Sequence, residues 1–274
     1  MKNIEIKILN PEAVNAAEQM MVFCARLTQR GHQLKNMRDV EELFNKDYKP
    51  ATVKNMCSLP HPTIQKFGLI NIAVVGASRR FLAQITRHQN EVKFMSASLQ
   101  YSDYSDSGDF CVPYSMIETG LEQQYIKSCQ SAMIDYKAFA ALTDNDSAGY
   151  VAPQGLRNVL IISATPFQLK HMISQRVCHR NTTETKYVML KIWEQLYKLS
   201  PEMFSIRVTG PGCQKISGCQ EGKMCCGKPY SKHMGPTEIL AADYPLLSKA
   251  EVFKRPLVGA SKGLLETFGR AKNA

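Results

Sequence analysis

The residues best suited to chemistry in this 274-residue chain are an arginine and a histidine that follow an apolar segment and a small-residue break. Gln84, Arg87 and His88 are spaced i, i+3 and i+4, which places them on one polar stripe of a helix. Ser98 and Gln100 follow. An arginine fork matches phosphate, and hydroxyl and amide groups add neutral donors and acceptors. This set suits a nucleotide, although such a stripe is also typical of a solvent-exposed helix face.

The cysteines suggest two other kinds of chemistry. The chain has nine, an odd number, which favours reduced thiols over a disulfide framework. Four lie close together, namely Cys213, Cys219, Cys225 and Cys226. Zinc sites prefer CxxC pairs, so this spacing is a poor zinc motif, and packed or free thiols are the alternative. Cys178 next to His179 resembles an activated nucleophile, but neighbours on a helix point about 100° apart.

The arginine and histidine must be positioned by the elements before them. Ile4, Ile6 and Ile8 alternate with charged residues and predict a half-buried strand, after which Asn10-Pro11 predicts a helix start. Residues 67–75 are almost all apolar and predict a strand buried on both faces. The Gly76-Ala77-Ser78 segment breaks that strand, and Ser78 is a good N-cap for a helix over residues 79–88.

A second arginine lies in an apolar helical pattern. A long helix over residues 116–142 precedes it, and a further helix begins near Pro166. Arg176 belongs to the apolar stripe of that further helix, and an arginine is rarely buried unless something pairs with it. Asn181 is expected to cap the next helix, with Glu184 as its capping partner. A Gly- and Cys-rich segment over residues 210–230 and a short apolar piece over residues 257–265 follow.

Composition limits the class of protein. Hydrophobic residues make up 44% and charged residues 21%, as in globular proteins, and we expect one domain over residues 1–274. There is no apolar run long enough to span a membrane and no signal-peptide pattern, so a cytoplasmic protein without membrane contact is expected. The net charge of +10 indicates an anionic partner. Basic residues are not interleaved with aromatic ones, which argues against nucleic acid.

Residues 84–101 resemble the RHRxxSxNExSxRY motif of flavin-dependent thymidylate synthases, which is preceded by a glutamine. Gln84, Arg87, His88, Ser98 and Tyr101 match if one extra residue is allowed. Three further segments are similar to the family in the same order. They are His61-Pro62-Thr63, the LKHMISQR segment that ends at Arg176, and the GPGC and GCQEGKMCCGK segments.

The resemblance implies an α+β fold in which a mixed central β-sheet is flanked by helices. It also implies FAD as cofactor, methylenetetrahydrofolate and NADPH as co-substrates, and a homotetramer whose active sites are shared between subunits. The reaction would be reductive transfer of a one-carbon unit to carbon 5 of dUMP, giving dTMP. Flavin would supply the hydride, so no protein cysteine would attack the pyrimidine ring and no metal would be needed.

Matching positions carry over the roles of the family's residues. Arg176 falls on the arginine that binds and ionises the uracil ring, which would make it the catalytic residue. The positions expected to contact flavin are His61, Thr63, Arg87, His88, Gln89 and His171. The positions expected to contact the nucleotide are Gln84, Arg87, Ser98, Gln100 and Arg176.

Several positions depart from the family pattern where ligands are held. Gln89 and Gln100 replace arginines, Met95-Ser96 replaces Asn-Glu, and His171 replaces a flavin-contacting asparagine. Three interpretations follow. Other basic residues, for instance Arg157 or Lys93, take over the phosphate contacts. The substrate is a different pyrimidine nucleotide, methylated or hydroxymethylated at carbon 5. Or the protein binds flavin or nucleotide without catalysis.

Overall fold

A four-stranded sheet surrounded by helices makes up the computed structural model, which describes residues 1–215 and 217–248. The strands are β1 (Glu5–Ile8), β2 (Ile70–Ser78), β3 (Val92–Ser96) and β4 (Arg157–Ala164). The helices are α1 (Pro11–Arg30), α2 (Met37–Phe44), α3 (Pro50–Cys57), α4 (Arg79–Ile85), α5 (Tyr114–Glu118), α6 (Glu122–Leu142), α7 (Asn145–Gly149), α8 (Pro166–Arg176), α9 (Thr183–Leu199), α10 (Ile206–Thr209), α11 (Pro236–Asp243) and α12 (Pro245–Ser248). The apolar piece predicted over residues 257–265 lies outside the described residues.

The sheet has the order β1-β2-β4-β3, and all three of its pairings are antiparallel. The α+β class expected from the sequence is confirmed, but the sheet is antiparallel rather than mixed. Hydrophobic patterns show that a strand exists and which side is apolar, but they do not show the direction of its neighbours. The central pairing of β2 with β4 runs from Ile70 opposite Ala164 to Ser78 opposite Arg157.

Burial in β2 alternates, although the sequence predicted a strand buried on both faces. Ile70, Ile72 and Val74 are fully buried, whereas Val75 is 42% exposed. Helices α1, α4 and α9 all contact this strand, and its buried residues belong to the main core. The opposite face also leaves Met95 and Val159 exposed. The sheet therefore presents an open, partly apolar face among the described residues.

The predicted break at Gly76 is a bulge inside β2. The strand continues to Ser78, and its register with β4 shifts between Val75 and Ala77. Gly76 has a φ of +82°, which favours glycine, and a Cβ there would lie 2.9 Å from the carbonyl oxygen of Asn3. The bulge turns the chain into α4, whose N-cap is Ser78 as predicted.

Helix α1 begins at Pro11 as predicted, whereas the helix predicted over residues 116–142 and the start of α9 differ from the prediction. The Asn10 side chain bonds Leu69 and Asn71 across the loop and does not cap α1. The long helix predicted over residues 116–142 is divided into α5 and α6 around Gly120, whose φ is +73°. Helix α9 begins at Thr183 without a capping box, because Glu184 has other partners. Its carboxylate accepts hydrogen bonds from the Ser78 backbone N–H at 2.7 Å and hydroxyl at 2.5 Å.

Helix α9 passes through the main core and supports both α4 and α8. Tyr187, Leu190 and Trp193 on its core-facing side are at most 2% exposed. The Trp193 indole N–H donates to the Phe204 carbonyl at 2.8 Å, so its polar atom is satisfied. Among the described residues, no helix combines the length and apolar composition needed to cross a bilayer.

We predict that Ser78→Ala lowers the free energy of unfolding by about 1–3 kcal/mol, because it removes an N-cap and leaves Glu184 short of a donor. Chemical denaturation measures this change. The control is Ser128→Ala on the exposed side of α6, whose hydroxyl bonds only the Gln124 carbonyl. That variant should change stability by less than about 0.5 kcal/mol. Equal effects of the two substitutions would contradict a special role for Ser78.

Candidate active site

The ends of α4 and α8 meet around a polar cavity of about 570 Å³. Its walls are basic and amide side chains, namely Arg87, His88, Gln89, Asn90, Gln168, His171, Gln175 and Arg176. Five of these eight were singled out from the sequence, and they come from segments more than 80 residues apart. No aspartate or glutamate is among the lining residues, so the cavity suits an anionic or electron-rich ligand.

Helix α4 ends at Ile85, so Gln84, Arg87 and His88 do not share one helical stripe as predicted. The chain turns after Thr86, and the His88 backbone N–H donates to the Ile85 carbonyl at 3.2 Å. This turn directs His88 inward, where it is 8% exposed, while Arg87 and Gln89 remain exposed. The sequence pattern did not show this, because a short polar turn has no period of its own.

Arg176 is the last residue of α8 and is half-buried, rather than fully buried as its apolar stripe predicted. Its position at the helix end lets the guanidinium reach out of the core. The Nε–H donates to His88 Nε2 at 2.8 Å, one Nη1–H to Asn181 Oδ1 at 3.2 Å, and one Nη2–H to the Gln84 carbonyl at 3.1 Å. A guanidinium has five N–H groups, so one remains on each terminal nitrogen.

His88 is a neutral imidazole next to this cation. Burial, together with the charge of Arg176 and the nearby His171, lowers the pKa of His88 from 6.5 to about 4. Since the Arg176 Nε–H can only donate, His88 Nε2 accepts and the ring proton lies on Nδ1. The two imidazoles meet edge to face with centroids 6.0 Å apart. Burial, Lys215 and Arg176 also lower the pKa of His171.

The other predicted site residues do not line this cavity. His61 and Thr63 are exposed in the loop between α3 and β2. Ser98 lies after β3, and its hydroxyl oxygen accepts from the backbone N–H groups of Gln100 and Tyr101 at 3.1 and 3.4 Å. Gln84 bonds Arg176 through its main-chain carbonyl rather than its side chain. The residues expected to contact flavin and nucleotide are therefore brought together only in part within one chain.

Two residues important to the geometry were missed or misassigned in the sequence. Gln168 is 4% exposed and lies three residues before His171, a spacing that places both on one face of α8. That spacing was the signal that could have identified it. Asn181 was assigned as a helix cap, but its Oδ1 accepts from Arg176 and its Nδ2 donates to the Gln175 carbonyl at 2.7 Å.

The clustered cysteines lie on the other side of Arg176. A cavity of about 580 Å³ shares Gln175 and Arg176 with the first one and includes all four of them and Cys178. Over residues 1–215 and 217–248, no group of three or more His, Cys, Asp or Glu side chains could hold a metal ion. Burial raises the pKa of Cys178. His179 Nδ1 instead lies 3.2 Å from Lys186 Nζ and 3.3 Å from the Tyr230 hydroxyl.

Arg157, one of the two candidates to replace the missing phosphate ligands, is engaged elsewhere. Its guanidinium donates to the carbonyls of Lys2 at 2.7 Å, Asn3 at 3.0 Å and Phe110 at 3.4 Å. Those contacts hold the N-terminal segment against β4, and the residue lines a different cavity from Arg176. Lys93 is exposed on β3. Arg157 therefore has a structural role in this chain.

The fold and the cavity together define an α+β protein with a cavity lined by cationic, imidazole and amide side chains. The family model described as thymidylate synthase complementing protein matches residues 12–202. The chain belongs to that family, which confirms the resemblance to flavin-dependent thymidylate synthases noted in the sequence.

Two relatives and two solved structures show how divergent the chain is. It is 23% identical over 171 residues to the flavin-dependent thymidylate synthase of Thermococcus onnurineus, covering 60% of this chain and 69% of that protein. It is 22% identical over 191 residues to the flavin-dependent thymidylate synthase of Pyrococcus abyssi, covering 67% of this chain and 78% of that protein.

Thymidylate synthase X from Helicobacter pylori, solved with FAD and dUMP, has a TM-score of 0.55 at 12% identity, covering 74% of this chain and 97% of that one. The UMP/dUMP methylase PolB from Streptomyces cacaoi, bound with 5-Br dUMP, has a TM-score of 0.58 at 14% identity, covering 74% of this chain and 94% of that one. At these identities the structures show a common fold.

We predict that Arg176→Met raises the pKa of His88 from about 4 toward 6.5, because it removes a cation and an N–H donor from the neutral imidazole. Histidine ring NMR signals followed against pH measure this change. Arg38→Met, at an exposed arginine of α2, should leave the His88 titration unaltered. An unshifted His88 in the Arg176 variant would show that burial alone sets its pKa.

The same titration affects stability. The unfolded chain protonates His88 near pH 6.5 and the folded chain only near pH 4. Between these values the unfolded state binds more protons, so the His88 contribution to stability is lost as pH falls. This loss should be smaller in Arg176→Met.

Proposed function

We propose that the chain is a flavin-dependent thymidylate synthase that transfers a one-carbon unit from methylenetetrahydrofolate to carbon 5 of dUMP, with NADPH as reductant. The observation that carries the proposal is the Arg176 guanidinium, which three neutral partners hold in place while two of its N–H groups stay free. A positioned cation with free donors is suited to negative charge that develops on a pyrimidine ring.

Arg176 is the proposed catalytic residue. None of its three partners is an acid, so its positive charge is not neutralised by the part of the chain that the structure describes. A ring oxygen that gains negative charge would receive hydrogen bonds from the two free N–H groups. Because His88, Asn181 and the Gln84 carbonyl already fix the guanidinium, little reorganisation is needed when that charge forms.

The first cavity also fits a flavin. Its wall offers N–H and amide donors from Arg87, Gln89 and Gln168, and the Nδ1–H of neutral His88, with no carboxylate to repel a phosphate. His88, Gln89 and His171 would hold the ring system, and His61 and Thr63 would approach from the exposed loop beside it. When bound, reduced flavin supplies the hydride for methyl formation.

A second copy of the chain would complete the nucleotide site. Ser98 and Gln100 do not line the Arg176 cavity of their own chain, which supports a homotetramer whose active sites are shared between subunits. The open face of the sheet supports contact between copies, because it exposes Val75 by 42%, Met95 by 73% and Val159 by 44%. An exposed apolar patch of this kind is typical of interfaces.

A second candidate reaction is C5 methylation or hydroxymethylation of a different pyrimidine nucleotide. It is favoured by Gln89 and Gln100, which lack the charge of the family's arginines at positions expected to contact ligands. The similar fold of a protein described as a UMP/dUMP methylase is compatible with this reading. A non-catalytic flavin- or nucleotide-binding protein remains the alternative from another class, and the assay below separates the three.

We predict that the purified protein binds FAD and oxidises NADPH when a pyrimidine nucleotide is added, and that Arg176→Gln lowers kcat by about 10²–10³-fold. Product analysis with methylenetetrahydrofolate and a panel of dUMP, UMP and dCMP identifies the substrate. FAD absorbance should persist in the variant, and Arg38→Gln should retain full activity. FAD binding without turnover of any nucleotide would support the non-catalytic alternative.

We predict that light scattering gives the mass of a tetramer and that Val159→Glu shifts it to smaller species, because a charge would be buried in the interface. The control is Leu142→Glu, at the end of α6, where the wild-type leucine is 82% exposed. That variant should leave the mass unchanged. A wild-type monomer would overturn the shared site.

A further inference from the structure

A third cavity, of about 340 Å³, lies between α8 and the segments that follow α3 and α10. His171 lines both this cavity and the first one, so the two meet at that side chain. Three cations line it, namely Lys170, Arg207 and Lys215. None of these three was predicted as a site residue, and none belongs to the arginine-histidine motif.

Lys170 is buried without an acidic partner. It is 6% exposed, and its Nζ donates to Gln65 Oε1 at 3.0 Å. The Gln65 amide nitrogen donates to the Leu59 carbonyl at 3.1 Å, which fixes its oxygen toward the lysine. Over the described part of the chain, no carboxylate lies within ion-pair distance of Lys170. Burial lowers its pKa from 10.5 to about 8.

The other two cations add charge to the same space. Lys215 is half-buried, and burial lowers its pKa. Arg207, the second residue of α10, is exposed and lines the cavity. No ion pair within residues 1–215 and 217–248 involves either residue. Three positive charges without a counter-ion, one of them buried, oppose folding unless an anion joins them.

We propose that Lys170, Lys215 and Arg207 form an anion site that holds the diphosphate of a dinucleotide cofactor whose ring system occupies the adjoining Arg176 cavity. The inference deepens the proposed function and rests on it for the identity of the ligand. A diphosphate carries two or more negative charges and matches three cations better than a single carboxylate does. His171 lies at the junction of the two cavities, where a ligand would pass between them.

This site would also account for the charge that the arginine-histidine motif lacks. Gln89 cannot neutralise a phosphate, and Arg157 is bonded to three carbonyls. Lys170 is one residue before His171 on α8, a helix held in the main core by Leu169 and Met172. The cation is therefore presented from a rigid element.

Inorganic pyrophosphate tests the anion site without flavin. Calorimetric titration of the full chain should show binding to wild type, with affinity at least 10-fold weaker in Lys170→Met and in Lys215→Gln. Lys127→Met, at an exposed lysine of α6, is the matched control and should bind like wild type. Unchanged affinity in both cavity variants, or no binding to wild type, would overturn the site.

Thermal unfolding separates this role from a structural one. Without ligand, Lys170→Met should melt at the wild-type temperature or above, because an apolar side chain replaces a buried charge that has no ion-pair partner. Pyrophosphate should raise the melting temperature of wild type and Lys127→Met only. A Lys170→Met protein that melts lower and still responds fully to pyrophosphate would show that the lysine serves the fold instead.

Flavins identify the source of the phosphate and separate the two proposals. FAD should bind wild type more tightly than riboflavin does, compete with pyrophosphate, and lose affinity in Lys170→Met, while riboflavin affinity stays the same. Equal FAD affinity in wild type and variant would overturn the anion site and leave the flavin enzyme intact. Lysine-dependent pyrophosphate binding without any flavin binding would overturn the flavin enzyme, and displacement by dUMP alone would assign the site to the substrate phosphate.

Discussion

The guanidinium of Arg176 bonds three separate parts of the chain, and each partner is neutral. Through the Gln84 carbonyl it reaches the last turn of α4, through His88 the turn after it, and through Asn181 the segment before α9. Among the described residues no carboxylate forms an ion pair with it, so the group that organises these segments also keeps its positive charge. Arg176 therefore determines both where the cavity lies and its positive charge.

Helix α8, which ends at Arg176, and helix α4, which precedes His88, are in turn fixed by α9. Glu184 on α9 receives both the backbone N–H and the hydroxyl of Ser78, which caps α4. On the other side, Thr165 caps α8 by accepting from the Gln168 backbone N–H at 3.2 Å. Both helices therefore start at capped residues next to the ends of paired strands, and their opposite ends converge on the cavity. A glutamate that sequence reasoning assigned to its own helix connects two elements more than 100 residues apart.

Local sequence signals predicted much of this arrangement, and non-local contacts account for what they missed. Ser78 as a cap and Pro166 as a first helical residue were predictable because each acts within one turn of its own position. The direction of the strands and the partner of Glu184 were not, because both depend on residues distant in sequence. For the site, His88 was found from its spacing with Gln84 and Arg87, and Arg176 from its place in an apolar stripe, and the family resemblance then gave both a role. Lys170 was hidden because it falls within a run of buried helix positions.

Arg157, Arg176 and Lys170 are buried or half-buried cations that differ in how many hydrogen-bond partners the chain provides, and that difference separates their roles. Arg157 donates to three backbone carbonyl oxygens, which would otherwise need other hydrogen-bond donors. Its guanidinium therefore stabilises the fold. Arg176 has three neutral partners and keeps two donors, which suits a charge that appears only during reaction. Lys170 is the most buried of the three, and among the described residues it has one amide oxygen as partner and no carboxylate within ion-pair distance. A buried charge with so little compensation costs stability, and the proposed anion would give this lysine its missing counter-ion.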